Sequence, residues 1–203
     1  MYNSEINKQP WLHSAVTDSV FILSPPFIAL FLVILFPRQF QASSAMPILY
    51  WLVLVVFIDV AHVYSTLYRT YFNPHGLKKP GLLLTIPLLC YVAGVLLHSM
   101  DALVFWRVLA YLAVFHFIRQ QYGFMRLYSR KEKSGYYAML IDKIAIYTAT
   151  IYPIVYWHIE GNRQFNWFIE NDFFMLPANG WLLNAGNVLY FTIILMYVVK
   201  EIL

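Results

Sequence analysis

Long apolar runs alternate with short polar joints along this chain. Six runs, over about 20–36, 47–71, 82–98, 102–128, 137–158 and 181–199, are almost free of charge at their centres. About 20 apolar residues in a helix cross roughly 30 Å of hydrocarbon, so each run predicts a membrane-spanning helix. The fold predicted is an all-α, polytopic transmembrane helical bundle of about six spans. Pro25-Pro26 in the first run must kink that helix or shift its start, because proline lacks an N–H donor and clashes with the preceding turn. Residues 159–180 hold too few apolar side chains to span and too many for a solvated loop, which predicts an interfacial helix or re-entrant lid. No long Gly/Ser-rich, Pro-rich or like-charge linker divides the chain and no repeat is visible, so a single integral membrane domain over 1–203 is expected.

Composition agrees. The chain is 61% hydrophobic and 12% charged, against roughly 25% charged in a soluble domain. Its net charge of +4 does not point to nucleic acid, because the basic residues collect beside apolar runs and form no separate face. They set orientation instead. Lys8, then Arg69, Lys78 and Lys79, then Arg119, Arg126, Arg130, Lys131 and Lys133 fall on one set of alternate loops, and only Arg38 and Arg163 on the other. By the positive-inside rule both termini are cytoplasmic, in a multi-pass protein of the cell's inner membrane. Trp51, Trp106, Trp157, Trp167 and Trp181 then mark the opposite interface. The single cysteine, Cys90, rules out an intrachain disulfide framework and a cysteine-based zinc site, and is expected as a small core residue. The first residues carry Glu5 and Asp18 and lack the basic-then-apolar order of a cleavable signal, so the first run is expected to be retained.

Candidate chemistry comes from polar residues inside the runs, where ionisable groups are expensive and usually functional. Asp59, His62, Thr66 and Arg69 share one helix face at i, i+3, i+7 and i+10, and His116, Arg119, Gln120 and Gly123 share another at i, i+3, i+4 and i+7. Asp142 and Lys143 lie in the first turns of the fifth run. Loop charge puts these groups at similar depth. Imidazole and carboxylate are ligands for first-row metals, and such a set with open positions suits non-haem iron. His62, His116, Asp59 and Asp142 are the expected metal residues, Arg119 and Gln120 position oxygen or substrate, and Tyr64, Tyr122 or Gln120 orients imidazole nitrogens. The expected function is an oxygenase or desaturase-like enzyme acting on a lipid or other hydrophobic small molecule.

Two other readings fit the same residues. His62 and His116 are axial ligands of a b-type haem in an electron carrier, with His98 and His158 as a second pair that reads more simply as interfacial anchors. Alternatively the chain is a transporter or an accessory membrane subunit. Its charges are then interhelical glue, Asp59 pairing with Arg69 and Asp142 with Arg119 or Lys143, and an oligomer or a partner membrane subunit is implied. His75 lies in a turn composition and His13 at the surface. Neither a phosphate loop at 76–81 nor a Gly-x-Ser-x-Gly elbow is present.

The segments Asp59-Val60-Ala61-His62 and Phe115-His116-Phe117-Ile118-Arg119-Gln120-Gln121-Tyr122-Gly123-Phe124 together resemble the His-bearing helices of membrane carotene dioxygenases of the Brp/Blh type. In that family transmembrane histidines hold iron and the substrate is a long polyene. The resemblance implies His62 and His116 as iron ligands.

Overall fold

The computed structural model describes residues 11–38, 48–73, 80–132, 134–161 and 167–202. All secondary structure among the described residues is helical. Helix α1, Ala15–Leu35, starts with a short α-turn, winds as a π-helix over Ser19–Leu23 and continues as an α-helix over Ser24–Leu35. Pro25 and Pro26 therefore fall in the first turn of the α-helical part, where a missing N–H costs little. The π-turn is how the helix passes the prolines without stopping, and the Ser24 hydroxyl donates to the Val20 carbonyl at 2.6 Å. Helix α2 is continuous through three segments, Ile48–Tyr50, the π-helical Trp51–Val60, and Ala61–Thr70. It coincides with the second apolar run.

Helix α3 is Pro80–Met100, with Pro87 inside it, and α4 is Ala102–Tyr128. One residue joins them. Asp101 is extended, and its carboxylate accepts from the Leu103 and Val104 amides, capping α4. Helix α5, Tyr136–Glu160, ends at Gly161, whose φ of 73° favours glycine. Helix α6, Gly180–Ile202, is capped by Asn179, whose side-chain oxygen accepts the Leu182 amide at 3.0 Å. Five of these helices, α1, α3, α4, α5 and α6, are long and apolar enough to cross a membrane.

Burial is inverted relative to a water-soluble protein. Large apolar side chains such as Phe21, Phe31, Leu84, Tyr91, Phe115, Trp181 and Phe191 are exposed, and the buried residues of the described chain include three aspartates, Asp18, Asp142 and Asp172. Contiguous apolar surface on this scale is at home in lipid. Cys90, expected in a core, is exposed on α3.

The chain forms two compact units, one of residues 16–93 and one of residues 1–15 with 94–203. In the first, the Tyr71 hydroxyl donates to the Leu83 carbonyl at 2.7 Å, tying the end of α2 to the start of α3. In the second, α5 packs on both α4 and α6. The α5–α6 contact is close because of Gly186: a Cβ there would lie 2.7 Å from the Tyr152 ring. Tyr152 donates to the Asn187 side chain at 2.7 Å and stacks on Tyr190 with centroids 5.0 Å apart. A small core of Ala110, Val114 and Phe173 lies where α4 meets the segment before α6.

Candidate functional site

The polar residues of the second unit form two groups along α4, and each can be built from its elements. The first surrounds the N-terminal half of α4. Segment 167–179 has no helix, and it docks on α4 and α5 through its own polar groups. The Asp172 carboxylate, 0% exposed, accepts the amides of Trp167, Phe168 and Ile169 and so folds the segment into a tight loop. Asn171 adopts φ 64°, the left-handed conformation that asparagine tolerates. The turn delivers Phe173, 2% exposed, among the rings of Tyr111, His158 and Trp167. It also brings the Asn171 carbonyl to Arg107, which donates to it from Nε at 3.2 Å and Nη2 at 3.0 Å while its guanidinium lies 4.2 Å from the Phe174 ring centroid.

His158 and Tyr111 form a directed chain within this group. The His158 Nδ1 lies 2.6 Å from the Ile154 carbonyl, which can only accept, so Nδ1 carries the hydrogen. Nε2 is then the acceptor for the Tyr111 hydroxyl at 2.8 Å, and the Tyr111 oxygen in turn accepts the Phe174 amide at 3.1 Å. The Leu176 amide donates to the His158 carbonyl at 2.8 Å. An interfacial stretch was expected over 159–180. Residues 159–160 finish α5, and the described residues 167–179 form a strap without helix, bonded to α4 and α5.

The second group lies in the C-terminal half of α4 and the facing parts of α5 and α6. Arg119 donates from Nη1 to the Tyr147 hydroxyl at 2.7 Å, and its guanidinium lies 5.5 Å from the ring of Tyr122, which stacks on Tyr147. Asp142 is buried, and its partner is Lys200 on α6, Nζ to Oδ1 2.7 Å. Lys200 also reaches Glu201 at 2.7 Å. The pairing of Asp142 with Arg119 or Lys143 is thus replaced: Arg119 is held by a tyrosine and Lys143 is exposed. The physical reason is the α5–α6 packing, which brings the last turn of α6 beside the first turns of α5. Nothing in the sequence advertised a partner 58 positions away.

Of the expected metal residues, Asp142 is bonded through Oδ1 to the Lys200 ammonium. His116 is exposed on α4 and makes no hydrogen bond among the described residues; its one ring contact is with its neighbour Phe117. Asp59 and His62 lie on α2, but their side chains fall outside the described residues, as does that of Arg69. Gln120 is half-buried and Tyr64 exposed, neither with a hydrogen bond among the described residues. No group of three or more His, Cys, Asp or Glu side chains placed to hold a metal ion occurs among the described residues. His98 contacts the Phe105 ring, whereas His158 contacts Tyr111 and Phe173. Lys8, His75, Lys78, Lys79, Lys133 and Arg163 lie outside the described residues. Sequence reasoning missed Tyr111, Asp172 and Lys200. Asp172 had a visible signal, a carboxylate set inside an aromatic stretch.

Comparison with family models, curated proteins and solved structures returned no match to this chain.

Proposed function

We propose that the protein is an integral membrane protein of the inner membrane, with six spans and cytoplasmic termini, whose working face is the polar stripe of α4 and whose substrate is hydrophobic. The observation that carries this reading is His116. An imidazole on a membrane-spanning helix, exposed and without a hydrogen bond among the described residues, contributes nothing visible to packing, and such groups are kept for function. Arg119 stands one turn on, held in place by Tyr147.

The chemistry proposed is metal-dependent oxidation of the oxygenase or desaturase-like class. On this reading His116 on α4 is a ligand donor. Iron held by imidazole would supply dioxygen activation. Arg119 and Gln120 would orient the polar part of a substrate. Metal analysis of the purified protein tests this: stoichiometric iron that falls in His116→Ala supports it, and iron absent or unchanged in that variant sinks it. A haem reading is separated by the absorption spectrum, where a Soret band would replace non-haem iron with haem b.

A second reading is favoured by the Asp142–Lys200 bond. Both side chains are well shielded and they join α5 to α6, as expected of a non-enzymatic membrane subunit whose charges are glue. Exchanging the pair in Asp142→Lys with Lys200→Asp should restore most of the thermal stability lost by either single variant. If the exchange instead stays as unstable as the singles, the pair is not the glue this reading requires.

A further inference from the structure

A groove of about 400 Å³ runs along α4, lined by Val104, Arg107, Val108, Tyr111, Leu112 and Phe174. It has two chemically different parts. Val104, Val108 and Leu112 follow one another at helical spacing and make an apolar floor. Arg107 supplies a cation beside them. Two of its five N–H groups are directed at the Asn171 carbonyl, which leaves three donors of a planar fork. Among the described residues no carboxylate forms an ion pair or hydrogen bond with the Arg107 guanidinium, whose polar contact is the Asn171 carbonyl.

An arginine in a spanning helix that lacks an acidic partner is a costly arrangement, and an oxyanion from outside the chain would relieve it. The size of the groove limits what brings that oxyanion. At roughly 30 Å³ for each water-sized group, it seats on the order of a dozen heavy-atom groups. That is most of one alkyl chain and far less than a diacyl lipid. We propose that this groove binds a single-chain amphiphile with a carboxylate head, a long-chain fatty acid, its head on Arg107 and its chain along Val108 and Leu112.

The proposal rests on the reading of a hydrophobic substrate and extends it. Arg107 and His116 are nine residues apart on one helix, a rise of about 13 Å. A chain anchored at Arg107 and passing Leu112 therefore reaches the level of His116. Head-group binding and metal content are separate properties, so one can fail without the other.

The experiment uses the full chain in phosphatidylcholine nanodiscs with a fluorescent fatty acid as probe, displaced by palmitic acid or by hexadecanol. Palmitic acid should compete about tenfold better than the alcohol, the scale of one charge-assisted hydrogen bond. Arg107→Gln should erase that difference, and Arg107→Lys, which keeps the charge, should retain most of it. Leu112→Trp, at an exposed position that tolerates size, should weaken acid and alcohol alike. Equal competition by acid and alcohol, or an unchanged preference in Arg107→Gln, overturns the proposal. Displacement of the probe by phosphatidylglycerol in the nanodisc as readily as by palmitic acid also overturns it, in favour of a phospholipid head-group site. Binding intact in a protein without iron leaves the groove standing and removes only the metal reading.

Discussion

The two halves of α4 treat their polar residues in opposite ways. In the N-terminal half each has a partner: Asp101 caps the helix, Arg107 bonds the Asn171 carbonyl, and Tyr111 donates to His158 while accepting from Phe174. In the C-terminal half His116, Gln120 and Arg126 make no hydrogen bond among the described residues, and Arg119 makes one, to Tyr147. Both halves belong to one apolar helix, so each polar group there needs a justification. Near the strap those groups hold segment 167–176 in place. Further along, the stripe is unexplained by folding. Polar groups with a partner in the fold thus concentrate in one half of the helix, and mutations in the two halves should change stability differently.

The largest effect is expected at Asp172. Its shielded carboxylate accepts three backbone amides, and Asp172→Ala leaves all three without an acceptor. The strap should lose about 3 kcal/mol of local stability. Hydrogen exchange over residues 167–176 would show it as a rise of about two orders of magnitude, with α6 little changed. Unchanged protection there would mean that the aromatic contacts of Phe173 hold the strap alone.

A smaller loss belongs to Tyr111→Phe. The ring packing on Phe173 survives, but the Phe174 amide loses its acceptor and His158 Nε2 loses its donor. About 1–2 kcal/mol is expected from the mutational range for half-shielded hydrogen bonds. Thermal unfolding in detergent, read against Asp172→Ala, would rank the two. If Tyr111→Phe proved the more damaging, the ring cluster and not the carboxylate would be the centre of the strap.

How much of this was legible in the sequence follows from the range of each signal. Hydrophobicity is local, so the apolar runs coincide with helices, including α2 through its π-helical segment. Pro25-Pro26 was expected to kink the helix or shift its start, and instead a π-helical segment carries the helix from Ala15 into the prolines. Helix faces were also legible: His116 and Arg119 do lie on the helix where the pattern put them. Partners were not. Asp142 reaches Lys200 across 58 positions and Tyr111 reaches His158 across 47, and only packing sets such pairs. The strap escaped for the same reason. Its loop is closed by Asp172 on its own backbone, and a carboxylate that caps amides looks in sequence like one that meets water.

The smallest effect on stability is expected at His116, and that makes it the sharpest test of the comparison. Its ring is exposed, and among the described residues its one ring contact is with the adjacent Phe117. Exposed substitutions away from caps and networks usually stay within about 0.5 kcal/mol, so His116→Ala should unfold with an almost unchanged midpoint. On the proposed reading the same variant loses metal and any activity that depends on it. Stability unchanged with metal lost would place His116 among the functional groups of α4. A clear loss of stability would place it with Tyr111 and Asp172, and the contrast between the two halves of the helix would collapse.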